Sequence, residues 1–356
     1  MSTSRLGGVI RDDLAEMAAR VGEAVGSLRG ATVLVTGAAG FLPSYLVDLL
    51  AHLNDESDDP CRVLCVDNLS TGTAARLAHL EGRDDVVVVN ADVAAGVAVD
   101  ERVDFIFHGA SIASPVWYRR FPLETIDVNV SGTRHLLEMA RAHPTRSFVL
   151  LSSSEVYGDP PPEEIPTPET YWGHVSCTGP RACYDESKRL AETLAFTYHR
   201  LHDIPVKVIR PFNVYGPRLR LDDGRVIPDL LRAALVGEPI VLHSDGNVTR
   251  SFCYLADFIV AALLLMVDDV AGEAFNVGND EEVTIADAAR LVDDVAGGTS
   301  GVRFETSDDP DYLTDNPNRR CPDLTKTKAA ITWVPKVDLR TGIERTLRHY
   351  RESDDR

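Results

Sequence analysis

Basic residues are scarce in this chain: 36 lysines and arginines face 55 aspartates and glutamates, for a formal charge of −19 at pH 7 and a pI near 4.9. A surface of that sign argues against nucleic acid and anionic membranes as partners, and mostly serves solubility. Long apolar runs are missing too. The longest, Ile259 to Val267, falls far short of the ~20 residues of a bilayer-spanning helix. No apolar leader stands at the N-terminus. The six cysteines, at 61, 65, 177, 183, 253 and 321, form no CxxC pair, and no histidine cluster has zinc-like spacing. We therefore expect no metal, free thiols in a reducing compartment, and a soluble cytoplasmic enzyme. No internal repeat or low-complexity tract occurs. An anionic substrate would need a local basic site set against the field of the whole chain.

What is present alternates strand with helix. Ile10, Leu14, Met17, Val21, Val25 and Leu28 recur at helical spacing, predicting an N-terminal helical extension over 1–29 that packs either on its own domain or on a partner subunit. Ala31 to Thr36 reads as a strand, followed by the turn Gly37-Ala38-Ala39-Gly40-Phe41-Leu42-Pro43 and a helix through Leu50. Strand, glycine turn and helix N-terminus together make a phosphate cradle, with backbone N–H groups and the helix dipole aimed at the anion. Pro43 stands where a third glycine is usual. A second strand, Arg62 to Val66, ends at Asp67-Asn68; a carboxylate there accepts hydrogen bonds from ribose hydroxyls and favours NAD over NADP. The segment 54–60 reads as an exposed insertion. Val86 to Val89 places Asp92 against the adenine, and Asp104 to Phe107 runs into His108-Gly109-Ala110-Ser111, whose small residues let a flat cofactor approach. The alternation predicts an α/β fold: a Rossmann-type, doubly wound parallel sheet with right-handed crossovers over 30–210, holding cofactor and catalytic residues. A smaller C-terminal substrate-binding lobe occupies most of 211–356, with segments returning to the sheet. Its expected elements include a helix within 224–237, a strand at 240–242, helices at 257–266 and 339–350, and an irregular loop over 308–321.

Phe148-Val149-Leu150-Leu151 has the continuous apolar character of a strand covered on both faces. It leads into Ser152-Ser153-Ser154-Glu155-Val156-Tyr157-Gly158. Hydroxyls and a carboxylate at the carboxyl end of such a strand lie where open α/β sheets bind ligands. Downstream, Tyr184 and Lys188 are four apart in a helical segment and share one face. A lysine beside a phenol lowers its pKa from ~10 towards the working pH. Such a base beside a serine hydroxyl can take the proton of an alcohol.

With the glycine turn, the serine-rich stretch and Tyr184-x-x-x-Lys188 in this order, the chain resembles the extended short-chain dehydrogenases of the NAD-dependent epimerase/dehydratase type, which modify nucleotide sugars with tightly held NAD. The likeness runs from about 30 to 347 and includes Asp67, Asn129, Phe212-Asn213 and Arg250. Within that family it is greatest to the UDP-glucuronate decarboxylases, through Tyr171-Trp172-Gly173-His174-Val175, Gly179 to Arg189, Asp222 to Val226 and Thr249-Arg250-Ser251-Phe252. Ser154 replaces the aspartate with which 4,6-dehydratases expel a hydroxyl, and Glu155 is a carboxylate that simple 4-epimerases usually lack. Pro43, Asp127 and the loop Trp117-Tyr118-Arg119-Arg120 depart from the decarboxylase pattern.

The resemblance implies a UDP-hexuronate substrate. Tyr184, assisted by Lys188 and relayed through Ser153, would take the 4-hydroxyl proton as hydride leaves C4. Carbon dioxide would leave the β-keto acid, and hydride return would give a UDP-pentose. Glu155 would orient the sugar ring or a water. Arg250 would contact the carboxylate region, assist proton return or neutralise the diphosphate. Arg225 and Arg319 or Arg320 would bind the diphosphate, Asn213 the diphosphate or sugar, and Ser154 the substrate. Gly37, Gly40, Phe41, Leu42, Asp67, Asn68, Asp92, Ala110, Asn129, Tyr184 and Lys188 would hold NAD. The alternatives are a nucleotide-sugar 4-epimerase, a 4,6-dehydratase or a non-enzymatic NAD-binding sensor or scaffold. The family also implies a homodimer built from two helices per subunit, one of them carrying Tyr184, whose Leu190, Leu194 and Phe196 face either a partner or the core.

Overall fold

The computed structural model describes residues 6–99, 101–306 and 317–352. In chain order the first half comprises α1 (Gly8–Val21), β1 (Thr32–Thr36), α2 (Phe41–Asn54), β2 (Arg62–Asp67), β3 (Val86–Asn90), β4 (Phe105–His108), α3 (Pro115–Arg120), α4 (Pro122–Asp127), α5 (Thr133–Ala142), β5 (Ser147–Leu151), α6 (Ala182–His202) and β6 (Val206–Pro211). The second half comprises β7 (Val214–Tyr215), α7 (Val226–Val236), β8 (Ile240–Leu242), β9 (Thr249–Ser251), β10 (Cys253–Tyr254), α8 (Leu255–Val267), β11 (Glu273–Val277), β12 (Glu282–Thr284), α9 (Ile285–Ala296), β13 (Val302–Phe304), β14 (Arg319–Arg320), α10 (Thr325–Ile331) and α11 (Leu339–Glu352).

Seven parallel strands form one sheet in the order β3-β2-β1-β4-β5-β6-β11. The order reverses between β1 and β4, which opens a crevice at their carboxyl ends. Helices cover both faces, so β1, β4 and β5 are mainly apolar and buried throughout apart from Thr32. At the edge, β3 exposes Val88 and Val89. The longest apolar run of the chain lies in α8, where every residue from Leu255 to Leu263 is buried, and the helix packs on β5 and β6. Its hydrophobicity is that of a helix enclosed in protein. Among the described residues no helix is long and apolar enough to cross a membrane.

The N-terminal extension belongs to this core. Ile10, Leu14 and Met17 are buried, and α1 packs on α8, α2 and α11. Asp13 accepts hydrogen bonds from Tyr254 (2.7 Å) and Arg345 (2.9 Å), and Arg20 pairs with Asp257 at 2.6 Å. The α-helix stops earlier than periodicity suggested: Gly22 takes φ +48°, and 22–28 continue as a 3₁₀ turn.

The smaller lobe is built on β9, which pairs antiparallel with β12 and parallel with β14. Here the structure corrects the sequence reading. Arg319–Arg320, expected within a loop over 308–321, form a strand, with Arg320 opposite Arg250; residues 307–316 of that stretch lie outside the described residues.

Candidate active site

A cleft of about 420 Å³ opens at the carboxyl ends of β1 to β4, walled by Gly37, Gly40, Asp67, Asn68, Asp92 and Ala110 among others. Gly37 has φ +66°, and a Cβ there would lie 2.7 Å from Ala110 Cα; the turn closes with Gly40 N–H donating to the Gly37 carbonyl at 2.8 Å. Only glycine meets both demands. Phe41 and Leu42 begin α2. Pro43 sits in that first turn, where its missing N–H costs no helical bond. Its ring fills the space that a third glycine would leave open, and Gly109 gives way opposite: a Cβ on Gly109 would stand 2.6 Å from Pro43 Cγ. Asp67 accepts the N–H groups of Ala39 (2.9 Å) and Leu69 (2.7 Å), which aims its carboxylate along the cleft while leaving lone pairs for ribose hydroxyls. Asp92 caps Ala94 N–H at 2.8 Å, and the Asn68 side chain accepts from Ser70 N–H at 3.0 Å. A cradle that any Cβ would fill, ending at a carboxylate, fits NAD. Asp127, a departure from the decarboxylase pattern, lies with Glu124 along the same cleft.

Asn129 occupies a π-helical turn over Val128–Gly132, a form frequent at functional sites. It is buried, accepts from Ser111 (2.8 Å) and donates to Ser187 (2.9 Å). Its side chain therefore ties the cleft wall to α6 instead of lining the cleft.

Tyr184 and Lys188 are buried on α6. Tyr184 packs in an apolar cluster with Ile112 and Tyr118, and Val128 joins it to the cleft. The expected fall in phenol pKa is absent. Burial pushes Tyr184 up to about 12, against a hydrogen bond from Ser153 that pulls it down. Burial pushes the Lys188 ammonium down to about 7. Lys188 Nζ lies 5.9 Å from the Tyr184 ring centroid and donates to the Leu151 carbonyl at 2.8 Å. The spacing correctly puts both groups on one face, but in a site this dry desolvation outweighs the neighbour's charge.

Ser153 N-caps the short turn Ser154–Tyr157 by accepting Glu155 N–H at 3.2 Å. Ser154 is buried in that turn. Beneath it, Ser152 donates to Glu192 at 2.5 Å, and Glu192 pairs with Arg210 at 2.6 Å. Glu155 is the charged centre. Arg320 engages both its oxygens, with Nη2 to Oε2 at 2.8 Å, and Arg181 reaches Oε2 at 2.5 Å. Burial would raise its pKa, but Arg181, Arg320 and Arg250 hold it far below the usual carboxylate range. Arg250 is anchored by the carbonyls of Thr249 (2.8 Å) and Pro317 (2.7 Å). Burial, reinforced by Arg320, pushes it down to about 10. Three guanidinium groups thus surround one carboxylate, a local excess of positive charge inside an acidic protein.

Other expected substrate ligands divide. Arg225 ion-pairs with Asp223 and lines a smaller pocket of about 100 Å³ that shares Gly40, Ser111 and Ile112 with the main cleft. Asn213 adopts φ +40° and donates to the Ser251 carbonyl at 2.9 Å. Arg319 turns away: it grips Glu282, with Nε to Oε1 at 2.8 Å, and does not join Arg320. Arg181 and Tyr118 were not foreseen as site residues, although Arg181 stands three positions before Tyr184 and starts its helix. Among the described residues no group of His, Cys, Asp or Glu is arranged to hold a metal.

The model of the NAD dependent epimerase/dehydratase family matches residues 33–278. UDP-glucuronic acid decarboxylase 1 of Arabidopsis thaliana is 40% identical over 319 residues, covering 90% of this chain and 69% of the relative. UDP-glucuronic acid decarboxylase 1 of Xenopus tropicalis is 38% identical over 320 residues, covering 90% and 72%. Among solved structures, a UDP-glucose 4-epimerase from Thermotoga maritima superposes with a TM-score of 0.77 at 26% identity, covering 90% of this chain and 98% of that one. A UDP-glucuronic acid 4-epimerase from Bacillus cereus in complex with NAD gives a TM-score of 0.74 at 25% identity, covering 89% and 96%.

Proposed function

The chain belongs to the NAD-dependent epimerase/dehydratase family, and on that premise we propose that it decarboxylates UDP-glucuronate to UDP-xylose through a 4-keto intermediate. The observation that carries this reading is the 40% identity to a UDP-glucuronic acid decarboxylase over 90% of the chain. The geometry of Glu155 agrees with it. Ser154 stands where 4,6-dehydratases keep the acid that expels a hydroxyl, and Glu155, held ionised by Arg181, Arg320 and Arg250, cannot take over that role.

NAD supplies the acceptor, and later the donor, of hydride at the sugar C4. The protein's residues position the sugar and handle protons. Ser153 and Tyr184 receive the 4-hydroxyl proton. Because burial favours the neutral phenol and the neutral amine alike, the phenol must release its own proton as it takes the substrate's, and the Lys188 amine one helical turn away is the base that can hold it. Oxidation at C4 leaves a ketone two bonds from the carboxylate, so carbon dioxide departs with its bonding electrons left on the sugar as an enolate. Tyr118 and Tyr184 help keep this region dry. Ser154 and Glu155 orient the ring, Arg250 faces the carboxylate region and proton return, and Arg225 and Asn213 take the diphosphate side.

We also read the protein as a cytoplasmic homodimer. All six thiols are free. Leu123 and Ile126 on α4 and Leu190 on α6 are exposed apolar side chains on two contacting helices, whereas Leu194 and Phe196 lie half-buried against the core. Leu190→Glu is expected to give a monomer in size-exclusion chromatography. The activity is tested by incubating the NAD-loaded protein with UDP-glucuronate and following carbon dioxide and UDP-pentose by mass spectrometry. Unchanged substrate, or an epimer of unchanged mass, would sink the decarboxylase reading.

A further inference from the structure

Glu155 is held from two directions that differ in kind. Arg320 comes from β14 of the smaller lobe, so its grip crosses between the lobe and the sheet. Arg181 comes from the start of α6. Its carbonyl accepts the N–H groups of Tyr184 (2.9 Å) and Asp185 (3.1 Å), while its guanidinium meets Glu155 Oε2 at 2.5 Å and approaches Asp185 Oδ2 at 3.8 Å. A single residue thus joins the backbone that presents the phenol to the side chain that presents the carboxylate. Arg181 is 7% exposed, so this ion pair is shielded from water and its planar fork fixes an orientation as well as a charge.

We propose that Arg181 is a positioning residue: it holds the Glu155 carboxylate in register with the Tyr184 hydroxyl, and it acts on the reaction through Glu155. The inference rests on the decarboxylase reading for its substrate. Without Arg181, the Glu155 carboxylate would be held by Arg320 and Arg250 of the lobe alone, with no contact to the helix that presents Tyr184. The groups facing Glu155 are Arg181 of α6, Arg320 of β14, Arg250 of β9, Tyr118 of α3 and Tyr184, with Asp185 behind Arg181 and Asp159 behind Arg250. Losing Arg181 removes one of three cations from a half-buried carboxylate, so its protonation moves up towards the pH range of assays.

The test is a double-mutant cycle on NAD-loaded protein with UDP-glucuronate. Arg181→Met is expected to lower kcat by about 10²-fold, the scale of an ångström's misplacement, with little change in KM and a new acid limb in the pH profile. Arg181→Lys, which keeps charge but not the fork, should recover part of kcat. In a Glu155→Gln background, Arg181→Met should cost almost nothing more, because its effect passes through Glu155. Losses that multiply in that background, or a rise in KM at constant kcat, would overturn the proposal. If Arg181→Met does not fold by thermal melt, the same cycle is run with Arg181→Lys. If the wild type turns over a different nucleotide sugar, the cycle is run on that sugar, which separates failure of this proposal from failure of the decarboxylase reading.

Discussion

Tyr118 lies flat against Tyr184, with ring centroids 5.2 Å apart and planes 13° from parallel. Its hydroxyl is buried and has no hydrogen-bond partner among the described residues. An unsatisfied buried hydroxyl costs ~1–3 kcal/mol. Tyr118→Phe keeps the stack and removes that cost, so the melting temperature of the free protein should hold or rise. Tyr118→Leu forfeits the stack, worth ~0.5–1.5 kcal/mol beyond burial. It should lower the melting temperature and bring the Tyr184 phenol back towards its ordinary pKa in an ultraviolet titration.

Lys188 gives stability a pH dependence of known sign. An unfolded lysine keeps its proton up to a pKa of ~10.4, whereas the buried one releases it near 7. Between those values the unfolded chain binds more protons, so this group adds stability as pH rises, and the contribution is lost as pH falls through 7. Lys188→Met removes it. Denaturant titrations from pH 7 to 10 should show a shallower pH slope for the variant, by up to ~1.4 kcal/mol per pH unit, together with loss of turnover. Equal slopes would show that the amine is charged in the folded site.

Pro43 and Gly109 share one space. Gly109→Ala puts a methyl 2.6 Å from Pro43 Cγ, a clash that should cost ~1–3 kcal/mol and weaken NAD binding by displacing the turn. Adding Pro43→Ala should recover most of both losses. Isothermal titration with NAD and thermal melts of the two single variants and the double variant decide this; purely additive losses would place the damage elsewhere.

Arg225 and Arg319 should behave differently under truncation. Arg319 is about two-fifths exposed and engaged by Glu282, so Arg319→Ala should leave kcat/KM within about twofold, the scale of an exposed ion pair. Arg225 lines the pocket beside the cleft, and Arg225→Ala should raise KM for the nucleotide sugar at least tenfold, as loss of a charged hydrogen-bonding partner does. Steady-state kinetics on both variants check the contrast.

Much of this protein was legible in its sequence because the signals are local. Continuous apolar runs mark strands covered on both faces, glycines at 37 and 40 mark a turn that no Cβ fits, and a four-residue spacing puts Tyr184 and Lys188 on one helix face. Those rules follow from backbone geometry and hold before the chain folds. What tertiary structure alone decided is where charges meet and how dry they are. Arg319 and Arg320 are neighbours in sequence, yet successive side chains of a strand point to opposite faces, so one pairs with Glu282 and the other with Glu155. The acidities of Tyr184 and Lys188 follow from burial beneath α3 and the sheet. Desolvation is a property of the assembled site, and no spacing of residues along the chain expresses it.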